Sequence, residues 1–238
     1  MKDFLKSINY DKNKLNAYII LLSAPVLLTI FWYFGKARFY KRTFDIITTG
    51  SNTEFYTYVL EFMTFFMLMF IIPAFFIRLR LRKNISEYGL GLGDIAFGIK
   101  FIAIVLPCII LPIIYLASKM PDIQGEYPLF RMLYLRKDLV FLYELCYVIF
   151  YYFAWEFYFR GFLLFALKGE FGGVNAILIQ TISSCLIHIG KPPGETIGAI
   201  IVGVIFGLIA LRTRSIWYVF ILHASLGVLT DLLIIFGW

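Results

Sequence analysis

The chain contains only two histidines, His188 and His223, and each lies in or beside a long apolar stretch. A third apolar stretch contains Glu156 and Arg160, within the run Trp-Glu-Phe-Tyr-Phe-Arg-Gly at 155–161. Ionisable side chains are costly inside a bilayer, so those found there mark functional sites by default. One glutamate and two histidines together supply a base, an acid and a donor for an oxyanion. If the three side chains meet, they form a set suited to hydrolysis.

Glu156 and Arg160 are four residues apart and therefore share one face of a helix. Their opposite charges lower the cost of burying both side chains. Two interpretations stay open: a buried ion pair that only orients helices, and a carboxylate held by arginine inside a reaction chamber.

The segment after His188 reads Gly-Lys-Pro-Pro-Gly-Glu at 190–195. Because Pro-Pro-Gly breaks a helix, we expect His188 near a helix end, close to the interface or to a water-filled cavity. Acidic side chains suit helix N-termini. Glu195 is therefore expected to cap the following helix rather than to act in catalysis, although a supporting role in a site is the alternative.

His223, Gly227 and Asp231 follow one another at four-residue steps, which places them on one stripe of a helix. Asp231 is about 12 Å from His223 along the axis, at about 1.5 Å per residue. It therefore cannot orient that histidine directly, and a serine triad with Ser225 is not supported. Two histidines and a glutamate could instead bind zinc with an open fourth position. Since no His-Glu-x-x-His spacing is present, we predict no metal and no other cofactor.

The composition indicates that lipid is the solvent for most of the chain. The 238 residues are 61% hydrophobic with a mean hydropathy of +0.83, whereas soluble domains are about 45–50% apolar. Helices satisfy their own backbone in lipid, so we predict an all-α, polytopic transmembrane bundle of about seven to eight helices around a polar cavity. Residues 1–238 are expected to form a single integral membrane domain, with the motifs in a core at about 139–236.

A membrane helix needs about 20 apolar residues, and seven runs approach or exceed that length. No cleavage site follows the first run, so we expect it to be a retained span. An eighth helix, partly embedded, is expected within Ser118–Asp138 if that segment is not a loop. The predicted spans are Ala17–Phe34, Phe55–Ile77, Ile95–Leu116, Leu139–Leu167, Val174–Ile189, Ile197–Leu211 and Ile216–Phe236.

The net charge of +7 comes from basic residues in short loops beside the spans. This placement predicts contact with anionic lipid headgroups rather than with nucleic acid. The three cysteines lie in apolar sequence and are expected to be packing residues; Cys185, near His188, has no third group that would make it a nucleophile. Gly203 and Gly207 form a Gly-x-x-x-Gly pair that lets helices approach closely. We expect packing within the chain rather than a dimer seam, and the oligomeric state stays open.

The order of these elements resembles the CAAX-protease and bacteriocin-processing family, also called the Abi family. Its three motifs are Glu-Glu-x-x-x-Arg, Phe-x-x-x-His and His-x-x-x-Asn, and the matching stretches here are 155–160, 184–188 and 223–227. The resemblance covers about 147–231 and implies intramembrane hydrolysis of a peptide or lipidated protein, in a bacterial cell membrane. It also implies that Glu156 and His188 activate water, that His223 stabilises the oxyanion, and that Arg160, Asp231 and Glu195 support them.

Two positions depart from the family pattern. The first glutamate of the first motif falls on Trp155, and the asparagine of the third motif falls on Gly227. Neighbouring helical residues point about 100° apart, so Glu156 inherits the catalytic geometry only if its helix is rotated. The departures favour, as an alternative, a non-catalytic immunity, regulatory or partner-binding protein of the same fold. A proton-coupled transporter is a third hypothesis, and the absence of inverted repeats counts against it.

Overall fold

The computed structural model describes residues 11–45 and 52–237, and within these residues the chain forms helices and turns without a strand. This confirms the predicted all-α membrane bundle. Within the described residues, six helices are long and apolar enough to cross a membrane. The helices are α1 (Lys12–Phe34), α2 (Ala37–Thr43), α3 (Asn52–Leu81), α4 (Ile95–Ala117), α5 (Pro121–Glu126), α6 (Lys137–Leu186), α7 (Pro193–Thr213) and α8 (Trp217–Phe236).

Helix α6 contains both the fourth and the fifth predicted spans, and it is broken at Gly172. That residue has φ 79° and ψ 161°, a conformation that L side chains rarely adopt. The break divides α6 into a first arm, 137–171, and a second arm, 173–186. Counting the two arms separately reconciles the six long helices with the seven predicted spans.

The segment Ser118–Asp138 contains α5, which at six residues is too short to cross a bilayer. A 3₁₀ turn, Arg131–Tyr134, follows it. The predicted eighth helix is therefore a short one between two spans. Its importance lies in Tyr127, the residue directly after α5, because the hydroxyl of this side chain donates to Glu195 in the site described below.

The core is built around the first arm of α6, where every residue from 154 to 164 is buried. Aromatic rings of α3 pack against it: Phe62 stacks on Tyr147 with centroids 4.6 Å apart, and Phe65 on Tyr151 at 4.3 Å. Large apolar side chains of α7 such as Ile197, Ile201 and Leu208 face outward, which lipid tolerates as water would not. The first arm is thus held rigidly on several sides.

The close approach predicted at Gly203 and Gly207 occurs within the chain. A Cβ at Gly203 would lie 2.8 Å from Thr181 Cγ2, and one at Gly207 would lie 3.0 Å from Gln180 Nε2. The Gln180 amide also donates to the Gly203 carbonyl at 2.8 Å. The second arm of α6 therefore packs tightly on α7, and at the start of α7 the Thr196 hydroxyl donates to the His188 carbonyl at 2.9 Å.

Two wide, π-helical turns flank the short α-helical segment Phe153–Glu156. They cover Tyr147–Tyr152 and Phe157–Leu163. Such turns change the angular position of the residues that follow, and they often occur at functional sites. The side chains around Glu156 therefore do not follow the regular rotation of an α-helix.

Candidate active site

A small cavity lies between the first arm of α6, the turn before α7, and α8. Its volume is about 40 Å³. One water needs about 10–15 Å³ on this measure, so the cavity has room for water but not for a peptide. Both histidines border it. The lining residues are Tyr127, Tyr147, Tyr151, Tyr152, Trp155, Ile187, His188, Lys191, Glu195 and His223.

His188 lies in the turn that follows α6, outside the spanning helices, as its position before Pro-Pro-Gly predicted. Its Nδ1 is 2.7 Å from the Ser184 carbonyl oxygen. A carbonyl only accepts, so Nδ1 carries the proton and Nε2 is left as an acceptor. Burial lowers the pKa of His188 to about 4, which keeps the imidazole neutral near pH 7. The ring therefore presents a free lone pair.

Glu195 in the first turn of α7 faces that lone pair, with Oε1 3.9 Å from His188 Nε2. Its place in the first turn of α7 is the one expected for an acid at a helix N-terminus, but its carboxylate makes its hydrogen bond to another segment. Oε1 accepts from the Tyr127 hydroxyl at 2.7 Å and lies 3.2 Å from Lys191 Nζ. Burial, and then the negative charge of Glu195, raise the pKa of Tyr127 well above its usual value, so Tyr127 remains a donor.

His223 of α8 contacts Glu156 on the side that faces away from the cavity. Its Nδ1 lies 2.6 Å from Glu156 Oε1, and the same oxygen is 3.2 Å from Arg160 Nη1. Glu156 is fully buried and does not border the cavity, whereas the His223 side chain is 19% exposed. Since Nδ1 is turned toward Glu156, Nε2 is the nitrogen left for the cavity. Glu156 thus contacts a histidine as well as Arg160.

Trp155 separates the two histidines. Its ring meets His188 edge to face with centroids 5.1 Å apart, and meets His223 likewise at 5.7 Å. The resemblance places a glutamate at this position, so an aromatic ring fills the space where a carboxylate was expected. The two carboxylates near the histidines come from other positions: Glu195 beside His188, and Glu156 behind His223.

Tyr152 reaches the cavity from α6, one turn before Glu156. Its ring packs edge to face on His223 with centroids 4.9 Å apart. A Cβ added at Gly227 would coincide with the Tyr152 hydroxyl and touch its ring. The hydroxyl therefore lies where a side chain at position 227 would begin, one helical turn beyond His223 on α8.

Asp231 does not border the cavity. It is fully buried and lies near Glu144 of α6, farther along the stripe that contains His223. Among the residues that the structure describes, no three His, Cys, Asp or Glu side chains are arranged to hold a metal ion.

Sequence reasoning did not select Tyr127, Tyr152 or Lys191 as residues of this site. Lys191 and Glu195 follow His188 in the same turn and in the start of α7, which is the only local signal for them. Tyr127 comes from a distant segment, and nothing in its neighbours marks it. Tyr152 is four residues before Glu156, a spacing that puts both on one face of a regular α-helix, but only Tyr152 borders the cavity.

Comparison with known proteins bears on the segment that forms this site. The family model for the Rce1-like proteins, described as type II CAAX prenyl endopeptidase Rce1-like, matches residues 137–229. No curated protein and no solved structure matches the chain. The matched segment holds α6, α7, most of α8 and nine of the ten cavity-lining residues, all except Tyr127. The match agrees with the order of the three motifs, and it shows that residues 137–229 of this integral membrane protein are similar to the Rce1-like CAAX proteases.

Proposed function

We propose that the protein hydrolyses a peptide bond within the membrane, in a peptide or lipidated protein substrate. The observation that carries this proposal is the convergence of two histidine–carboxylate pairs on one cavity. His188 is 3.9 Å from Glu195, and His223 is 2.6 Å from Glu156. The cavity between them has room for water.

The His188–Glu195 pair is suited to activate water. Both His188 Nε2 and the Glu195 carboxylate are acceptors, and 3.9 Å is too long for a direct hydrogen bond. A water molecule that donates one hydrogen to each of them would have its oxygen lone pair directed into the cavity. The water oxygen attacks the carbonyl carbon of the substrate, and its proton passes to this pair. The same proton then passes to the leaving amine as the C–N bond breaks.

The oxyanion that forms in this step requires donors placed in advance. His223 borders the cavity, and Glu156 fixes its ring through Nδ1. An imidazolium carries a proton on each nitrogen, so in that form His223 donates to Glu156 through Nδ1 and to the oxyanion through Nε2. The family resemblance implied that Glu156 activates water, but its full burial and its contact with His223 Nδ1 favour a positioning role instead. We therefore assign water activation to Glu195 with His188.

The surroundings of the enzyme are proposed from the sequence. We place it in a bacterial cell membrane, with basic loops against anionic headgroups and no nucleic acid partner. The end of α3 supports lipid contact, because Arg78, Arg80, Arg82 and Lys83 follow one another there. The reaction described uses no metal.

Cleavage of a farnesylated peptide ending in a CAAX sequence, reconstituted with the protein in liposomes, tests the assignment. Glu195→Gln and His188→Gln are expected to lower kcat by about 10²–10⁴-fold, the usual contribution of acid–base catalysis. Glu126→Gln is a matched control, because Glu126 also contacts Lys191, at 3.9 Å, but does not border the cavity. Equal rates for wild type and all three variants would sink the proposal.

A non-catalytic partner-binding role is the second candidate, and a specific observation favours it. Trp155 fills the space between the histidines, and the remaining cavity of about 40 Å³ cannot admit a peptide. A catalytic cycle therefore requires that the site open. Under this alternative, wild-type protein cleaves neither lipidated nor plain peptides, while His188→Gln and His223→Gln retain binding of the peptide.

A further inference from the structure

Gly227 of α8 and Tyr152 of α6 are in close contact. Gly227 lies one turn after His223 on α8, and the Tyr152 hydroxyl occupies the space directly above its Cα. Any side chain at 227 would displace that hydroxyl. The result is a hydroxyl on the same stripe of α8 as His223, supplied by α6.

The surroundings of this hydroxyl match those of a donor to a reacting oxygen. Tyr152 borders the cavity together with His223, and its ring packs on that histidine at 4.9 Å. Tyr147 lies beside it, with ring centroids 4.5 Å apart. A phenol hydroxyl can donate one hydrogen bond as well as accept others. A hydroxyl at this place can therefore donate to an oxygen in the cavity.

We propose that the Tyr152 hydroxyl is a catalytic residue that, together with His223 Nε2, donates a hydrogen bond to the oxyanion. This rests on the proposed hydrolytic function. Glycine at position 227 serves to admit the hydroxyl. The bond changes are those already described; Tyr152 donates a hydrogen bond to the carbonyl oxygen as it gains charge and gives up no proton in the net reaction.

Kinetics of single variants give the first test. Tyr152→Phe is expected to lower kcat by about 10²–10³-fold, the effect of losing one oxyanion donor, with KM nearly unchanged. Tyr158→Phe is the matched control, since it removes a buried hydroxyl on the same helix that bonds Ser23 at 2.8 Å, away from the cavity. It is expected to keep the wild-type kcat. Equal kcat for wild type and Tyr152→Phe would overturn the proposal.

Relocating the donor gives the second test and separates it from a packing role. Tyr152→Ala removes both hydroxyl and ring, and Tyr152→Ala/Gly227→Asn places an amide donor in the vacated space. The double variant is expected to recover at least tenfold in kcat over Tyr152→Ala, while Tyr152→Ala/Gly227→Leu, of similar volume, is expected to recover none. Recovery by leucine as large as by asparagine would show that only packing had been lost.

Binding of a peptide phosphinate, a stable mimic of the tetrahedral intermediate, distinguishes failure of this inference from failure of the proposed function. Wild type is expected to bind the phosphinate more tightly than the matching uncleaved peptide, and Tyr152→Phe is expected to lose most of that preference. If wild type shows neither cleavage nor preference, the hydrolytic function fails, and the role of Tyr152 with it. If wild type shows the preference and Tyr152→Phe keeps it in full, only the role of Tyr152 fails.

Discussion

Glu156 makes two contacts, one with Arg160 and one with His223, and a set of three variants can distinguish their effects. The ion pair is 3.2 Å long, and its partners are 0% and 3% exposed. Two unit charges about 4 Å apart attract by about 4 kcal/mol at an effective dielectric constant of 20, and breaking a buried pair typically costs about 3–5 kcal/mol. Glu156→Leu should therefore lower the free energy of unfolding by that amount, because Arg160 is left buried without its partner.

The double variant Glu156→Leu/Arg160→Leu removes both charges together. Replacing a buried ion pair by apolar side chains is often neutral or stabilising, so most of the lost unfolding free energy should return. Activity should not return with it, because His223 still lacks the carboxylate that holds Nδ1. We expect kcat to stay about 10²–10³-fold below wild type, the effect of losing one oxyanion donor, with KM little changed.

Arg160→Leu is the third variant and completes a double-mutant cycle. It removes the same ion pair but leaves Glu156 on His223, so it should lose stability while keeping more activity than either variant that lacks Glu156. Unfolding of detergent-solubilised protein by denaturant titration measures the first quantity, and peptide cleavage in liposomes the second. Recovery of both stability and kcat in the double variant would refute the reasoning and leave Glu156 as one half of a structural ion pair.

Two further predictions concern α7 and His188. Gly207→Ile should lower the free energy of unfolding by about 1–3 kcal/mol through overpacking without changing the oligomeric state, because a Cβ at 207 meets Gln180 at 3.0 Å. Gly198→Ile on the same helix is the control and should be neutral, because a Cβ there meets nothing within 4 Å. Equal unfolding midpoints for the two variants would contradict this prediction. The pKa of His188 lies at about 4, below its ordinary value of 6.5, so between these pH values the unfolded chain binds more protons than the folded one. The free energy of unfolding should therefore fall as the pH drops from 6.5 to 4. Cleavage should be lost as the pH falls through about 4, because His188 then becomes protonated. His188→Gln should flatten the stability profile in this window, and an unchanged slope would refute the assignment.

The sequence is sufficient to predict the helices and several of their contacts. Long apolar runs require helices in lipid because the backbone must satisfy itself. The i,i+4 spacing predicts the contact between Glu156 and Arg160, and Gly203 and Gly207 predict close packing of α7. These inferences depend on local spacing or on solvent chemistry, which one chain shows directly.

The distribution of roles in the site is not predictable in the same way. Whether Glu156 meets water or His223 depends on how α6 is rotated toward α8, and the wide turns on both sides of Phe153–Glu156 invalidate a regular 100° per residue. Tyr127 reaches Glu195 from 68 residues away. Such contacts are set by the packing of whole helices, for which a single sequence has no local signal.

The two departures from the family pattern have one physical reading in common. A tryptophan at 155 takes up the space between the histidines, and a glycine at 227 opens space beside one of them. In each case another residue brings the missing chemical group to the same cavity: Glu195 brings a carboxylate to His188, and Tyr152 brings a hydroxyl to His223. Random loss of function would not be expected to place a carboxylate and a hydrogen-bond donor beside the same histidines that the family's missing glutamate and asparagine would serve. The pairing therefore favours a rearranged hydrolytic site over a decayed one, and it makes Glu195 and Tyr152, rather than Glu156, the residues whose substitution decides the question.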